Sequence, residues 1–136
     1  MYKVNMLNEA MATRTIELEN IDTGAIELCF DDSTLTSSEN FEFMEIGELY
    51  ECKILLFGDI TKEKTEKSVK CKILNGDIQV GTKILAEVVV GKDIYYIPQR
   101  QIQHFSEQDS FEFEFTRKDL IQVNAVIHGD LLTELW

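Results

Sequence analysis

The sequence predicts a mainly β fold: a small antiparallel barrel or sandwich with one or two short helical turns. Three observations carry that expectation. Apolar and polar residues alternate with a period of two through most of the chain, the pattern of half-buried strands. Turn signals built on Asp, Asn and Gly separate the alternating runs at short intervals. The 136 residues hold little sustained 3.6-residue periodicity, so about eight short strands must close or layer on one another.

The first run sets Ile16 and Leu18 between Glu17 and Glu19. After Asp22, Thr23 and Gly24 comes a second, in which Ile26, Leu28 and Phe30 alternate with Glu27 and Cys29. Two runs around an Asp/Gly turn predict a hairpin over residues 14–30, with Cys29 on its polar face. From Asp31 to Asn40 the chain is polar, and adjacent aspartates there read as turn formers that satisfy local amides. Thr36 and Glu39 have capping-box spacing, so a short helical turn is expected through Glu39–Met44.

Leu49 to Phe57 is the longest predicted strand. Tyr50, Cys52, Ile54 and Leu56 share one face, opposite Glu51 and Lys53, while Leu55 and Phe57 make its far end apolar on both faces. Such a strand is half exposed at one end and enclosed at the other, as in a small closed barrel. Gly58 and Asp59 open a charged connection through Ser68. Val69, Cys71 and Ile73 then alternate with Lys70 and Lys72, and Asn75-Gly76 supplies a strong hairpin signal. The Ile84–Val90 run is β-branched on both faces and is expected to be central. Gly91-Lys92-Asp93 turns it into Ile94–Ile97, which Pro98 stops or places at an edge. The succession from Leu49 to Val90 resembles the opening meander of an OB-type barrel over roughly a third of the chain. A likeness of architecture implies no function.

Phe111, Phe113 and Phe115 alternate with Glu112 and Glu114, and Ile121, Val123, Ala125 and Ile127 form the last run. Leu131, Leu132, Leu135 and Trp136 have the spacing of an amphipathic turn that would cap the fold. One domain over 1–136 is expected: the hairpin, a barrel meander over 46–97, and C-terminal strands with their cap over 110–136.

Charge bounds the function more tightly than any motif. The chain carries 13 basic and 25 acidic residues, a net −12 with both histidines neutral. Charged residues make up 28% and hydrophobic ones 44%, the balance of a globular protein rather than a disordered acidic tail. The charge is uneven: −10 over residues 1–60, +3 over 61–100 and −5 over 101–136. The opening residues lack the apolar core of a secretory signal, and no run approaches a membrane span. Three cysteines without C-x-x-C spacing supply no zinc or redox motif. A cytoplasmic chain with neither cofactor nor metal is expected.

Gly76, Gly81, Thr82 and Lys83 approximate a phosphate loop, but the Thr and Lys are in the wrong order and a strand follows where a helix is needed. His104 and His128 are the two histidines. One is expected in an exposed loop and the other at an exposed strand end, and either would act as a general base only if an acid oriented it. Cys52 and Cys71 fall on apolar faces and should pack as small hydrophobes. Cys29 is the candidate reactive thiol, although Glu27, Asp31 and Asp32 around it would raise its pKa. Asp31-Asp32-Ser33 lacks the spacing of a calcium loop.

Two binding surfaces are left. Glu39, Glu42, Glu45 and Glu48 form an acidic segment suited to a basic partner. Lys64, Lys67, Lys70 and Lys72, with Tyr95 and Tyr96 as stacking surfaces, form a basic alternative for single-stranded nucleic acid. A net charge of −12 opposes a polyanion at long range, and lysines on an exposed hairpin also guard strand edges. The favoured expectation is a non-enzymatic acidic β domain that binds a basic macromolecule, as an inhibitor or immunity-type protein binds a basic effector. An OB-like nucleic-acid module and a small hydrolase using His104 or His128 are the alternatives. A homo-oligomer built on apolar surface stays open.

Overall fold

The computed structural model describes residues 1–134, which form ten strands joined by turns and three 3-10 turns. The strands are β1 (Tyr2–Glu9), β2 (Arg14–Asn20), β3 (Ile26–Asp31), β4 (Leu49–Tyr50) and β5 (Cys52–Thr61) in the first half. The second half supplies β6 (Ser68–Val80), β7 (Lys83–Val90), β8 (Asp93–Pro98), β9 (Ser110–Val123) and β10 (Val126–Ile127). The 3-10 turns lie at Ser33–Leu35, Gln99–Ile102 and Gly129–Leu132. Among the described residues no helix is long and apolar enough to cross a membrane.

Five strands close a barrel in the ring order β5-β8-β7-β6-β9, with β9 returning to β5. All neighbours in the ring are antiparallel except β5 and β8, which run parallel at Leu55 and Tyr96. The remaining strands, β4-β1-β2-β3, extend as a sheet from β9, joined where Phe30 lies parallel to Asp119. The mainly β barrel read from the sequence is therefore present. β9 makes this geometry workable, because its 14 residues reach β6 at one end and β3 and β10 at the other. Gly58 marks the closest approach of β5 to β9: a Cβ there would sit 2.0 Å from the Glu114 carbonyl oxygen.

The β2–β3 hairpin forms as expected, with Ile16 opposite Cys29 and Leu18 opposite Glu27. Several local signals are used differently. The run from Leu49 splits at Glu51 into β4 and β5, and β5 pairs with β8 and β9, not with β6. The consecutive meander is β6-β7-β8. Asn75-Gly76 does not turn a hairpin; β6 runs straight through it with a break in register, and the turn falls at Gly81-Thr82, where Gly81 has φ +61°. The last alternating run is folded at Asn124 (φ 52°), so that Val126 returns opposite Val123. Within the Glu39–Met44 stretch expected to turn, a single turn forms, closed by the Met44 amide on the Phe41 carbonyl at 3.2 Å, and a separate 3-10 turn lies at Ser33–Leu35. Leu131 is buried against Leu55, Val80, Leu85, Tyr96 and Ile121, whereas Leu135 and Trp136 lie outside the described residues.

The largest correction concerns β3. Its period of two is real, but its phase is inverted: Glu27, Cys29 and Asp31 point inward, and Ile26 and Leu28 face solvent. Cys29 is thus a core residue and not a polar-face thiol. The inversion is possible because each buried acid finds a partner. Glu27, 1% exposed, accepts from the Tyr95 hydroxyl at 2.5 Å and from the Lys118 ammonium. Asp31 takes the Arg14 Nε at 2.8 Å and the Ser33 amide at 2.9 Å. Cys29 then packs with Ile16, Leu18, Ile54 and Leu120 in one core shared by sheet and barrel.

Removing Glu27 alone should be costly, because the buried Tyr95 hydroxyl and the partly buried Lys118 ammonium would lose their shared acceptor. Glu27→Ala is expected to lose about 3–5 kcal/mol in urea denaturation, while Glu27→Leu combined with Lys118→Met and Tyr95→Phe recovers most of it. A single-variant loss under 1 kcal/mol would show that the pair does not hold the junction.

Candidate functional site

Where β3 meets β9 and the C-terminal 3-10 turn, a cleft of about 250 Å³ opens. Leu55, Ile121 and Leu131 form its apolar wall, and Phe30 and Phe57 stand at one side. Strand pairing places Arg117 beside them, since Arg117 faces Phe57 across the β5–β9 ladder. Its guanidinium lies 4.8 Å from the Phe30 ring centroid and 4.7 Å from that of Phe57, a cation held between two aromatic rings. The same group grips Asp119 through two hydrogen bonds of 2.5 and 3.1 Å. That bond to Asp119 raises the Arg117 pKa further.

His128 is 5% exposed, not the exposed strand-end residue expected. Its Nδ1 accepts the Asp130 amide at 3.0 Å and so caps the Gly129–Leu132 turn. The ring proton therefore resides on Nε2, which donates to Asp32 Oδ1 at 2.5 Å. Both nitrogens are used. No lone pair is left to take a proton from a nucleophile, so the Asp32–His128 pair is a structural latch and not an acid–base dyad.

Asp32, His128 and Asp130 also bring three metal-ligating side chains within 4.8 Å of one another. An ion on either ring nitrogen would have to displace the turn cap or the Asp32 hydrogen bond. Two of the three residues, Asp32 and His128, are thus already bonded to protein partners, and the Asp130 carboxylate alone is left. Gln101 also lines the cleft: its Nε2 donates to the Gly58 carbonyl at 2.9 Å, and its Oε1 is buried without a hydrogen-bond partner among the described residues.

The acidic segment adjoins this cleft. The Phe41 ring meets His128 edge-on at 6.2 Å, and Gly129 packs so closely on Thr36 that a Cβ would sit 2.7 Å from its hydroxyl. Phe41 and Met44 are buried, the Phe41 amide donates to Ser33 Oγ at 3.0 Å, and its carbonyl accepts from Arg14. Around these anchors Glu39, Glu42, Glu45 and Glu48 are all exposed.

The basic alternative is dispersed differently. Lys64, Lys67, Lys70 and Lys72 are exposed, but Tyr95 and Tyr96 are 6% and 7% exposed. Their hydroxyls are bonded to Glu27 and Glu87, and burial followed by those hydrogen bonds pushes both phenols up. Neither ring is available to stack a base. Within β6, Lys70 faces Glu112 across the ladder with β9, and Lys72 lies where the pairings with β9 and β7 meet. His104 is exposed in the loop after the Gln99–Ile102 turn, where the sequence placed it.

Among the groups that matter here, Arg14, Glu27, Gln101 and Arg117 escaped sequence reasoning. One signal was available: the chain has only three arginines, and two of them, Arg100 and Arg117, line the same cleft. No protein-family model matches the chain, and no curated protein or solved structure matches it either.

Two measurements check this geometry. His128→Ala removes a turn cap and leaves Asp32 without its donor, so urea denaturation should show a loss of about 1–3 kcal/mol. The thiols should be inert. Burial pushes Cys52 and Cys71 up to about 12, and burial together with Glu27 pushes Cys29 well above its ordinary value. A pKa that high leaves about one thiol in ten thousand ionised at pH 8. Native protein should therefore react with a chromogenic disulfide reagent far more slowly than unfolded protein; rapid labelling at Cys29 would contradict its placement.

Proposed function

We propose that this chain is a non-catalytic binding protein that presents its 39–48 loop to a basic macromolecular partner. The anchoring of that loop carries the proposal. Buried Phe41 and Met44 hold it against the body of the protein, while Glu39, Glu42, Glu45 and Glu48 point to solvent beside Phe43 and Ile46, which are 43% and 62% exposed. Among the described residues no cation pairs with any of the four carboxylates. A held loop that alternates unpaired acids with exposed apolar side chains has the make-up of an interface: charge to steer the encounter and apolar area to retain it. Three free cysteines favour a reducing compartment, the cytoplasm.

The OB-like nucleic-acid role is the weaker reading, because the lysines lack exposed aromatic partners and the acidic field opposes a polyanion. Hydrolysis is weaker still, since His128 has no free nitrogen.

The test begins with a partner captured from the native host's lysate and purified. Glu39→Lys, Glu42→Lys and Glu45→Lys together should weaken its affinity by about tenfold or more and flatten the salt dependence, with an unchanged urea midpoint. Unchanged affinity in the triple variant would end the proposal. Saturable binding of single-stranded oligonucleotides at low salt, lost on neutralising Lys64, Lys67 and Lys70, would put the nucleic-acid reading in its place.

A further inference from the structure

We infer that the cleft at the junction of β3, β9 and the C-terminal turn receives a lysine or arginine side chain of that basic partner. The inference rests on the binding role just proposed and assigns it an anchor point.

Size comes first. Small-molecule sites usually enclose roughly 300–1,000 Å³, and this cleft is about 250 Å³. It suits one side chain rather than a cofactor. The wall of Leu55, Ile121 and Leu131 matches the methylene stem of a long basic residue, which buries its carbons while its head stays polar.

The balance of donors and acceptors decides the sign of the guest. Two arginines line the cleft and would suggest an anion, but both are occupied: Arg117 is clamped on Asp119, and Arg100 has an interaction of its own. Three carboxylates line it as well. Asp119 and Asp32 are engaged by Arg117 and His128, whereas the Asp130 carboxylate stands 3.9 Å from His128 Nδ1, beyond hydrogen-bond reach, and is 62% exposed. What the cleft leaves open among the described residues is thus an anionic acceptor at its mouth. An ammonium or guanidinium supplies donors and charge together; a carboxylate or phosphate supplies neither.

Position supports the same guest. The acidic loop is anchored beside the cleft, since its buried Phe41 packs edge-on against His128, a residue of the cleft lining. A basic surface steered onto Glu39–Glu48 arrives beside the opening. One of its side chains then needs only to enter.

The experiment titrates the full ¹⁵N-labelled chain with N-acetyl-lysine N-methylamide and N-acetyl-arginine N-methylamide, followed by NMR. Norleucine and glutamate equivalents serve as controls. At least one cationic probe should shift the Gln101 side-chain amide and the Gly58 and Leu131 backbone amides in a saturable way, and bind about tenfold more tightly than the glutamate control. Asp130→Asn should weaken it about fivefold, and Asp130→Lys should abolish it, at an exposed position where the fold tolerates the change. Equal binding of norleucine would reduce the cleft to an apolar dimple and overturn the inference. Preferred binding of the glutamate control would make it an anion site and overturn it too, as would the absence of any saturable shift. The two proposals fail separately. Triple reversal of Glu39, Glu42 and Glu45 tests the loop and should leave probe binding within about twofold, because screened surface charge acts weakly on a small probe. Loss of probe binding in Asp130→Lys tests the cleft alone.

Discussion

The architecture depends on the neutralisation of acids buried on one short strand. β3 turns Glu27 and Asp31 inward and leaves Ile26 and Leu28 outside, an arrangement that simple burial of apolar surface would reverse. It is stable because Lys118 and Tyr95 meet Glu27 from the barrel while Arg14 meets Asp31 from the neighbouring strand. Both acids are paired and hydrogen-bonded, the condition under which a buried charge is tolerated. The contacts to Glu27 tie the N-terminal sheet to the barrel more firmly than the single β3–β9 bridge at Phe30 does.

Much of the surface follows from that choice of phase. With Glu27 inside, Phe30 is directed outward beside Arg117 and Phe57, and Asp32 emerges where His128 can reach it. Arg14, held by Asp31, extends to the Phe41 carbonyl and fixes the base of the acidic loop. The cleft and the loop are therefore two products of one junction. Their adjacency is a consequence of the fold, which is why a partner steered to one would meet the other.

The residues that looked most reactive are the ones the structure has spent on stability. His128 closes the C-terminal turn with one nitrogen and secures Asp32 with the other. Cys29, Cys52 and Cys71 are unpaired thiols pushed toward the neutral form by burial. Chemistry that needs a thiolate or a free imidazole nitrogen has no support from them. What the 39–48 loop offers instead is exposed carboxylates beside the exposed apolar side chains of Phe43 and Ile46.

By itself the sequence determined the class of fold, most of the strands and the acidic character of the 39–48 segment, because alternation and turn residues are local and act through the pleat and the φ preferences of Gly, Asn and Asp. It did not determine phase or pairing. Alternation in β3 is equally regular whichever face is buried, and the decision came from Lys118 and Tyr95, 91 and 68 residues away along the chain. The first strand was missed although Tyr2 and Val4 alternate with Lys3 and Asn5, because a register break between Val4 and Met6 shifts the phase before Leu7, and Asn75-Gly76 promised a turn that a register break within β6 absorbed. The cleft was illegible for the same reason: Phe30, Phe57, Gln101, Arg117 and His128 come from five separate stretches of chain. Only closure of the barrel through β9 brings them together, since a contact between distant segments is decided by the tertiary structure and by no local pattern.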